Sequence, residues 1–191
     1  MKELNRREFL TLSGAAVVAL SLAGCGGGTY APPAPPAVPT GKEAKVLEAI
    51  NRVWKEKFDA GKVKYEQLTP NQDAVGIVRG YGRVFEKANE TPHKWVKGDD
   101  DILSDEKLEF AEKMKKYGDN SFAGMVCDED TEGMVALKYK YSCEDTVVRA
   151  FVDELLNSNL NSSNAEFISI YLPVVKNETY MTAAIFLYDK A

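Results

Sequence analysis

A single histidine limits the acid–base chemistry open to this 191-residue chain. His93 stands in the stretch NETPHKWVKGDDD, two residues before Trp95 and shortly before Asp99–Asp101. An imidazole beside a carboxylate is the elementary unit of a general base, so a histidine-dependent hydrolase built from this chain must use His93. A lone loop histidine is more often a surface or turn residue than a base. Two acidic groups, Asp99–Asp101 with Asp105 and Asp128–Asp130 with Glu132, supply the oxygens a hard cation needs. Neither follows the spaced pattern of a calcium loop, and helix-start acids and a solvated turn account for them. No metal site and no cofactor is therefore expected. Tyr81, Phe85, Trp95, Phe151 and Tyr171 could line an apolar ligand groove, or simply fill a core. The chain has no serine-centred elbow, no C-x-x-C pair, no P-loop and no dinucleotide glycine pattern. Carboxylate pairs of the glycosidase kind stay open.

Cys127 and Cys143 bracket a strand–turn–strand stretch. A bridge between them would close a loop of about 16 residues and stabilise by about 3 kcal/mol in the chain-entropy picture. Two reduced thiols are the other reading, and the spacing does not decide between them. The chain carries 24 Lys and Arg against 29 Asp and Glu. Without residues 1–24 the balance is 21 against 27, or −6. A mildly acidic domain with no basic stripe argues against a nucleic-acid partner.

Residues 1–24 do not belong to the fold. Arg6 and Arg7 form a basic start, and residues 10–22 are apolar, small and too short for a comfortable membrane span. The segment ends Leu22–Ala23–Gly24–Cys25, which resembles a bacterial lipobox. That resemblance implies that Cys25 is acylated and anchors the mature protein to the outside of a bacterial membrane. The run Arg6–Arg7–Glu8–Phe9–Leu10 resembles the twin-arginine export signal, with general secretion as the alternative. Residues 25–41 are a tether: glycines, then five of the chain's eight prolines, which stiffen it toward polyproline II. Residues 42–191 are long enough for one domain with a real core.

The elements that must position any site follow from periodicity. Residues 43–58 place Val46, Leu47, Ile50, Val53, Trp54 and Phe58 on one face of a helix. Thr69 with Pro70 reads as the start of a second helix running to Ala88, its inner face interrupted by Gly76, Gly80 and Gly82. Three glycines cost about 2–3 kcal/mol of helix propensity, which close packing of the backbone on a neighbour would offset. Residues 89–101 read as a loop. Ser104 caps a third helix over 105–117, stopped by Gly118. Residues 122–127 read as a strand, 128–133 as an acidic turn and 134–141 as a strand wet on one face. Ser142 and Asp145 suggest a capping box before a fourth helix. Residues 167–175 and 179–188 are two apolar runs joined by a short polar link, a hairpin. Neither run alternates cleanly, so both faces of this hairpin are expected to be covered by helices.

This order is similar to the CAP superfamily (cysteine-rich secretory proteins, antigen 5 and pathogenesis-related proteins) and its bacterial SCP-like relatives. Ala49–Ile50–Asn51–Arg52 matches the Asn-Arg pair of the family's first helix, and Thr91–Pro92–His93 with Gly98 occupies the place of its histidine loop. The helix from Glu144 through Phe151 to Asn157–Ser158 follows the family's late helix, and residues 168–171 and 180–186 its final hairpin. The resemblance implies an α/β fold, an α-β-α sandwich with the C-terminal hairpin in the central sheet. Family members often carry two His and two Glu in a central cleft. Only His93 has a counterpart here: Asn159–Leu160–Asn161 stands where the second histidine would follow Ser158. The Gly-Glu-Asn phrase is absent, with the reversed Glu132–Gly133 nearest to it. The expectation is a lipid-anchored, non-catalytic domain that binds a small apolar ligand or an envelope or host component. A hydrolase using His93 with a carboxylate, or a purely structural envelope module, are the alternatives.

Overall fold

The computed structural model describes residues 40–189; the leader, Cys25 and the tether up to Pro39 lie outside the described residues. The architecture is mixed α/β, with four helices and a mixed sheet built on one strand, β8 (Glu178–Phe186). Along β8, Met181, Ala183 and Ile185 face one hydrophobic cluster while Ala184 and Phe186 face another. Strand alternation thus puts apolar residues on both faces, and both are buried.

The first cluster packs beneath α1 (Gly41–Asp59) and α4 (Asp145–Asn157), through Val46, Ile50, Val53, Trp54, Val148, Phe151 and Leu155. The second packs beneath α2 (Val75–Ala88) and α3 (Lys97–Met114), through Val75, Val78 and Met114. Helical layers therefore cover both faces of the C-terminal hairpin, as its broken alternation predicts. Strand β6 (Phe167–Tyr171) pairs antiparallel with β8 from Phe167↔Phe186 to Tyr171↔Thr182, and the short β7 (Val174–Val175) continues that side. On the other side β8 pairs with β2 (Phe122–Val126) and β5 (Tyr139–Lys140). β1 (Thr69–Pro70) adds to β6 in parallel.

Helix α2 shows what its three glycines do. A Cβ on Gly76 would stand 2.7 Å from the Glu106 carbonyl oxygen of α3, and one on Gly80 3.0 Å from Leu103 Cδ1 and Glu106 Cβ. A Cβ on Gly82 would fall 2.6 Å from the Tyr171 ring on β6. The low helix propensity is offset by an approach that only bare backbone allows.

Four local expectations need correction. Thr69 and Pro70 do not start a helix; they form β1, and Asn71 caps a single 3₁₀ turn (Gln72–Ala74) by accepting from Asp73 N. Helix α3 begins at Lys97, eight residues before the expected start, because Asp99 accepts from the Val96 N–H and so closes the first turn. The acidic turn is a strand: β3 (Asp128–Thr131) pairs with β4 (Met134–Leu137), and the turn itself is Glu132–Gly133, with φ of 54° and 79°. Ser142 and Asp145 do not form a capping box; Ser142 Oγ accepts from Glu144 N, and Asp145 is bound by Arg149 and Arg52. Among the described residues no helix is long and apolar enough to cross a membrane.

Candidate functional site

His93 lies where the α2–α3 connection meets the β3–β4 hairpin. Helix α2 ends at Asn89 in the left-handed conformation, and the chain then turns back along β4. There His93 exchanges both backbone hydrogen bonds with Val135, at 2.7 and 2.9 Å, and Thr91 Oγ1 accepts from Leu137 N. The imidazole is 6% exposed and meets the Phe85 ring edge-on. Its Nδ1 is 2.8 Å from Glu90 Oε1 and its Nε2 is 2.8 Å from Asp99 Oδ2. Asp99, also buried, takes a further hydrogen bond from Val96 N.

Two ionised carboxylates on one imidazole are both satisfied when each ring nitrogen carries a proton, so the arrangement favours the imidazolium. The Glu90 hydrogen bond, and after it the Asp99 one, hold the His93 pKa above its usual value against the opposing effect of burial. Burial works to raise the Asp99 pKa, but the Val96 N–H and the His93 cation outweigh it and keep the carboxyl below its usual range. The group is a charged, hydrogen-bonded clamp between a loop, a helix start and a hairpin. A general base needs a free lone pair; here each ring nitrogen is engaged by a carboxylate.

The other sequence candidates are not gathered around it. Asp100 accepts from Trp95 Nε1, while Asp101 and Asp105 are exposed on α3. The register of the hairpin sets Asp128 opposite Leu137 and Asp130 opposite Val135, and Glu129 on the alternate face. Burial, with Asp130 nearby, pushes the Asp128 carboxyl up to about 6. Among the described residues no group of three or more His, Cys, Asp or Glu has a metal-holding arrangement. Four of the five aromatics lie around α2, and Phe151 lies apart. Phe151, on α4, packs into the first cluster on one face of the sheet, whereas Tyr81, on α2, packs against both the second cluster, which also takes Tyr171, and the third, which holds Phe85, and meets Trp95 at 6.0 Å. They serve as core packing.

Cys127 and Cys143 are both free, so the bridge weighed from the sequence is not formed. Cys127 follows β2 and lies inside the cluster of Phe85, Leu137, Val175 and Tyr180, where burial pushes its thiol well up. Cys143 is exposed after β5, beside the Tyr141 hydroxyl. Glu132–Gly133 is a hairpin tip, and Leu160 beside Asn159 and Asn161 is 98% exposed, so neither contributes to the His93 cluster.

The matched Asn51 and Arg52 serve the fold. Asn51 brackets the Leu68 backbone, donating to its carbonyl at 3.1 Å and accepting from its N–H at 2.8 Å, and Arg52 reaches Asp145. The sequence reading missed the most charged interior contact: Glu106, buried on α3, bound by Arg79 at 2.6 Å and Arg83 at 2.6 Å from α2. The four-residue spacing of the two arginines, on the face that holds Gly76 and Gly80, was the available signal. No family model, curated protein or solved structure matches the chain.

Proposed function

We propose that this chain is a membrane-anchored extracytoplasmic lipoprotein, held through lipid on Cys25, whose folded domain is a divergent, non-catalytic relative of the CAP type. The observation that carries the non-catalytic reading is the His93 clamp. The chain's only imidazole is buried with both nitrogens bound to carboxylates. Helices on both faces of the terminal hairpin support the kinship, since the resemblance implies that layering. The use of these aromatic residues as core packing favours an envelope component over a small apolar ligand as the thing bound. The Leu-Ala-Gly-Cys phrase after an apolar run supports the anchor.

Two measurements test this reading. Expressed in a bacterium fed labelled palmitate, the protein takes up label and sediments with membranes, and Cys25→Ser abolishes both; a Cys25→Ser protein that still sediments with membranes sinks the anchor. Against a panel of ester, phosphoester and glycoside substrates, the purified chain shows no turnover above buffer. Turnover that disappears in His93→Ala, with the fold intact by circular dichroism, would establish the hydrolase instead.

A further inference from the structure

One groove is walled by polar side chains that take no partner among the described residues and are drawn from three segments of the chain. It has a volume of about 720 Å³ and is lined by Lys64, Tyr65, Asn164, Glu166 and Leu187–Asp189. Its walls come from three separate segments: the α1–β1 connection, the approach to β6 and the continuation of β8. Backbone hydrogen bonds fix each wall. Lys64 N donates to Ser163 O, Glu166 N to Phe186 O, Leu187 N to Ser121 O and Asp189 N to Tyr117 O, all between 2.8 and 3.0 Å. Trp54 Nε1 holds the Tyr65 carbonyl at 3.0 Å. Tyr188 leans on Tyr117 and Phe167 yet keeps 46% of its surface exposed.

Among the described residues the Lys64 ammonium, the Glu166 carboxylate, the Asn164 amide and the two phenol hydroxyls have no side-chain hydrogen bond or ion pair; Lys64 Nζ stands only over the Tyr65 ring, at 5.1 Å. Asp189 uses Oδ2 for Asn120, through its N–H and its amide, leaving Oδ1. The chemistry of this lining narrows the ligand. An anion would face Glu166 and Asp189, and a cation would face Lys64. An apolar molecule would strip water from all of these groups and replace none of its hydrogen bonds. A neutral, polyhydroxylated ligand meets every requirement. The C–H faces of sugar rings lie against Tyr65 and Tyr188, whose rings are apolar and whose tips are polar. The ring hydroxyls donate to carboxylates and exchange hydrogen bonds with the amide and the ammonium. The volume lies within the roughly 300–1,000 Å³ of small-molecule sites, enough for a short oligosaccharide.

We propose that this groove binds a neutral glycan. The inference extends the binding role proposed above and relies on it only for what lies nearby; the groove's chemistry is independent of the anchor. The test is titration of the full chain in detergent with N-acetylchitotriose, cellotriose and maltotriose, read by isothermal calorimetry. At least one should saturate with a Kd of roughly 1 mM or below. Tyr65→Ala and Glu166→Gln should each weaken it about tenfold or more, while the thermal transition stays unchanged. Cys25→Ser should bind like the parent, so loss of the anchor and loss of the groove are read separately. No saturable binding of any of the three sugars, or binding that survives Tyr65→Ala combined with Glu166→Gln, overturns the proposal.

Discussion

The His93 clamp and the Tyr65–Tyr188 groove use the same kinds of side chain to opposite ends. Around His93, a buried imidazole, the buried Asp99 carboxylate and the half-exposed Glu90 carboxylate take up one another's hydrogen-bonding capacity. In the groove, a lysine, a glutamate, an amide and two phenols stand apart with that capacity open. Polar groups satisfied among themselves specify a fold; polar groups left pointing at solvent along a rigid wall are available to a ligand. The difference teaches that the residue with the strongest chemical reputation in a sequence need not mark its site. Each prediction below either breaks this contrast or sharpens it.

The largest effect belongs to the clamp. His93→Ala removes the cation from a buried carboxylate, and loss of one partner of a buried pair costs about 3–5 kcal/mol. The chevron or urea midpoint of His93→Ala should fall accordingly, and Asp99→Asn added to it should recover part of the loss by neutralising the stranded charge. A loss below about 1 kcal/mol for His93→Ala would show that the ring is not structurally engaged.

Next is Gly76→Val, which drives a β-branched side chain against the Glu106 carbonyl oxygen, 2.7 Å from the Cβ position. Overpacking at such a contact costs about 1–3 kcal/mol despite the better helix propensity of any residue over glycine. A stabilised Gly76→Val in a urea melt would mean that α2 and α3 are not in close contact.

The layering of this fold was legible because it depends on patterning: the apolar stripe from Val46 to Phe58 and the two-faced burial of the terminal hairpin follow from period alone. The clamp was not legible, although His93 was singled out, because its meaning rests on Glu90 and Asp99, and three-residue and six-residue spacings in a loop fix no geometry. The start of α3 was lost for the same reason. Asp99–Asp101 read as loop until Asp99 is seen to accept from Val96 N. The groove escaped entirely, since Lys64, Asn164 and Asp189 meet only through tertiary pairing of β6 with β8.

Stability against pH separates the two kinds of charged group. The folded pKa of His93 is raised, so its contribution is complete below about 6.5, the unfolded value, and is lost as pH rises through the raised one. Asp99 is lowered, so its contribution is present above about 3.9 and is lost as pH falls through the lowered value. The clamp is therefore strongest in mildly acidic solution. Asp128, raised to about 6, acts in the alkaline sense as well: the folded protein favours its protonated form, and that stabilisation is lost as pH rises from about 3.9 through about 6. Asp128→Asn should thus raise the urea midpoint at pH 8 and leave it nearly unchanged at pH 4, by on the order of 1–2 kcal/mol once solvent screening is allowed for. An Asp128→Asn protein with the parent's pH profile would show that the hairpin leaves this carboxylate hydrated.

The smallest effect is the most discriminating. If the groove side chains serve a ligand and not the fold, replacing them must cost almost nothing in the absence of one. Glu166→Gln and Lys64→Met should each stay within about 0.5 kcal/mol of the parent in urea, as surface changes without partners do. Cys143→Ser sets the baseline, since its thiol is exposed and free. A carboxylate and an ammonium without an ion-pair partner carry little folding energy to lose. Should Glu166→Gln instead destabilise by as much as a break in the Arg79–Glu106 pair, the groove would belong with the clamp, its polar groups engaged in holding the chain together, and the contrast on which the glycan proposal stands would be gone.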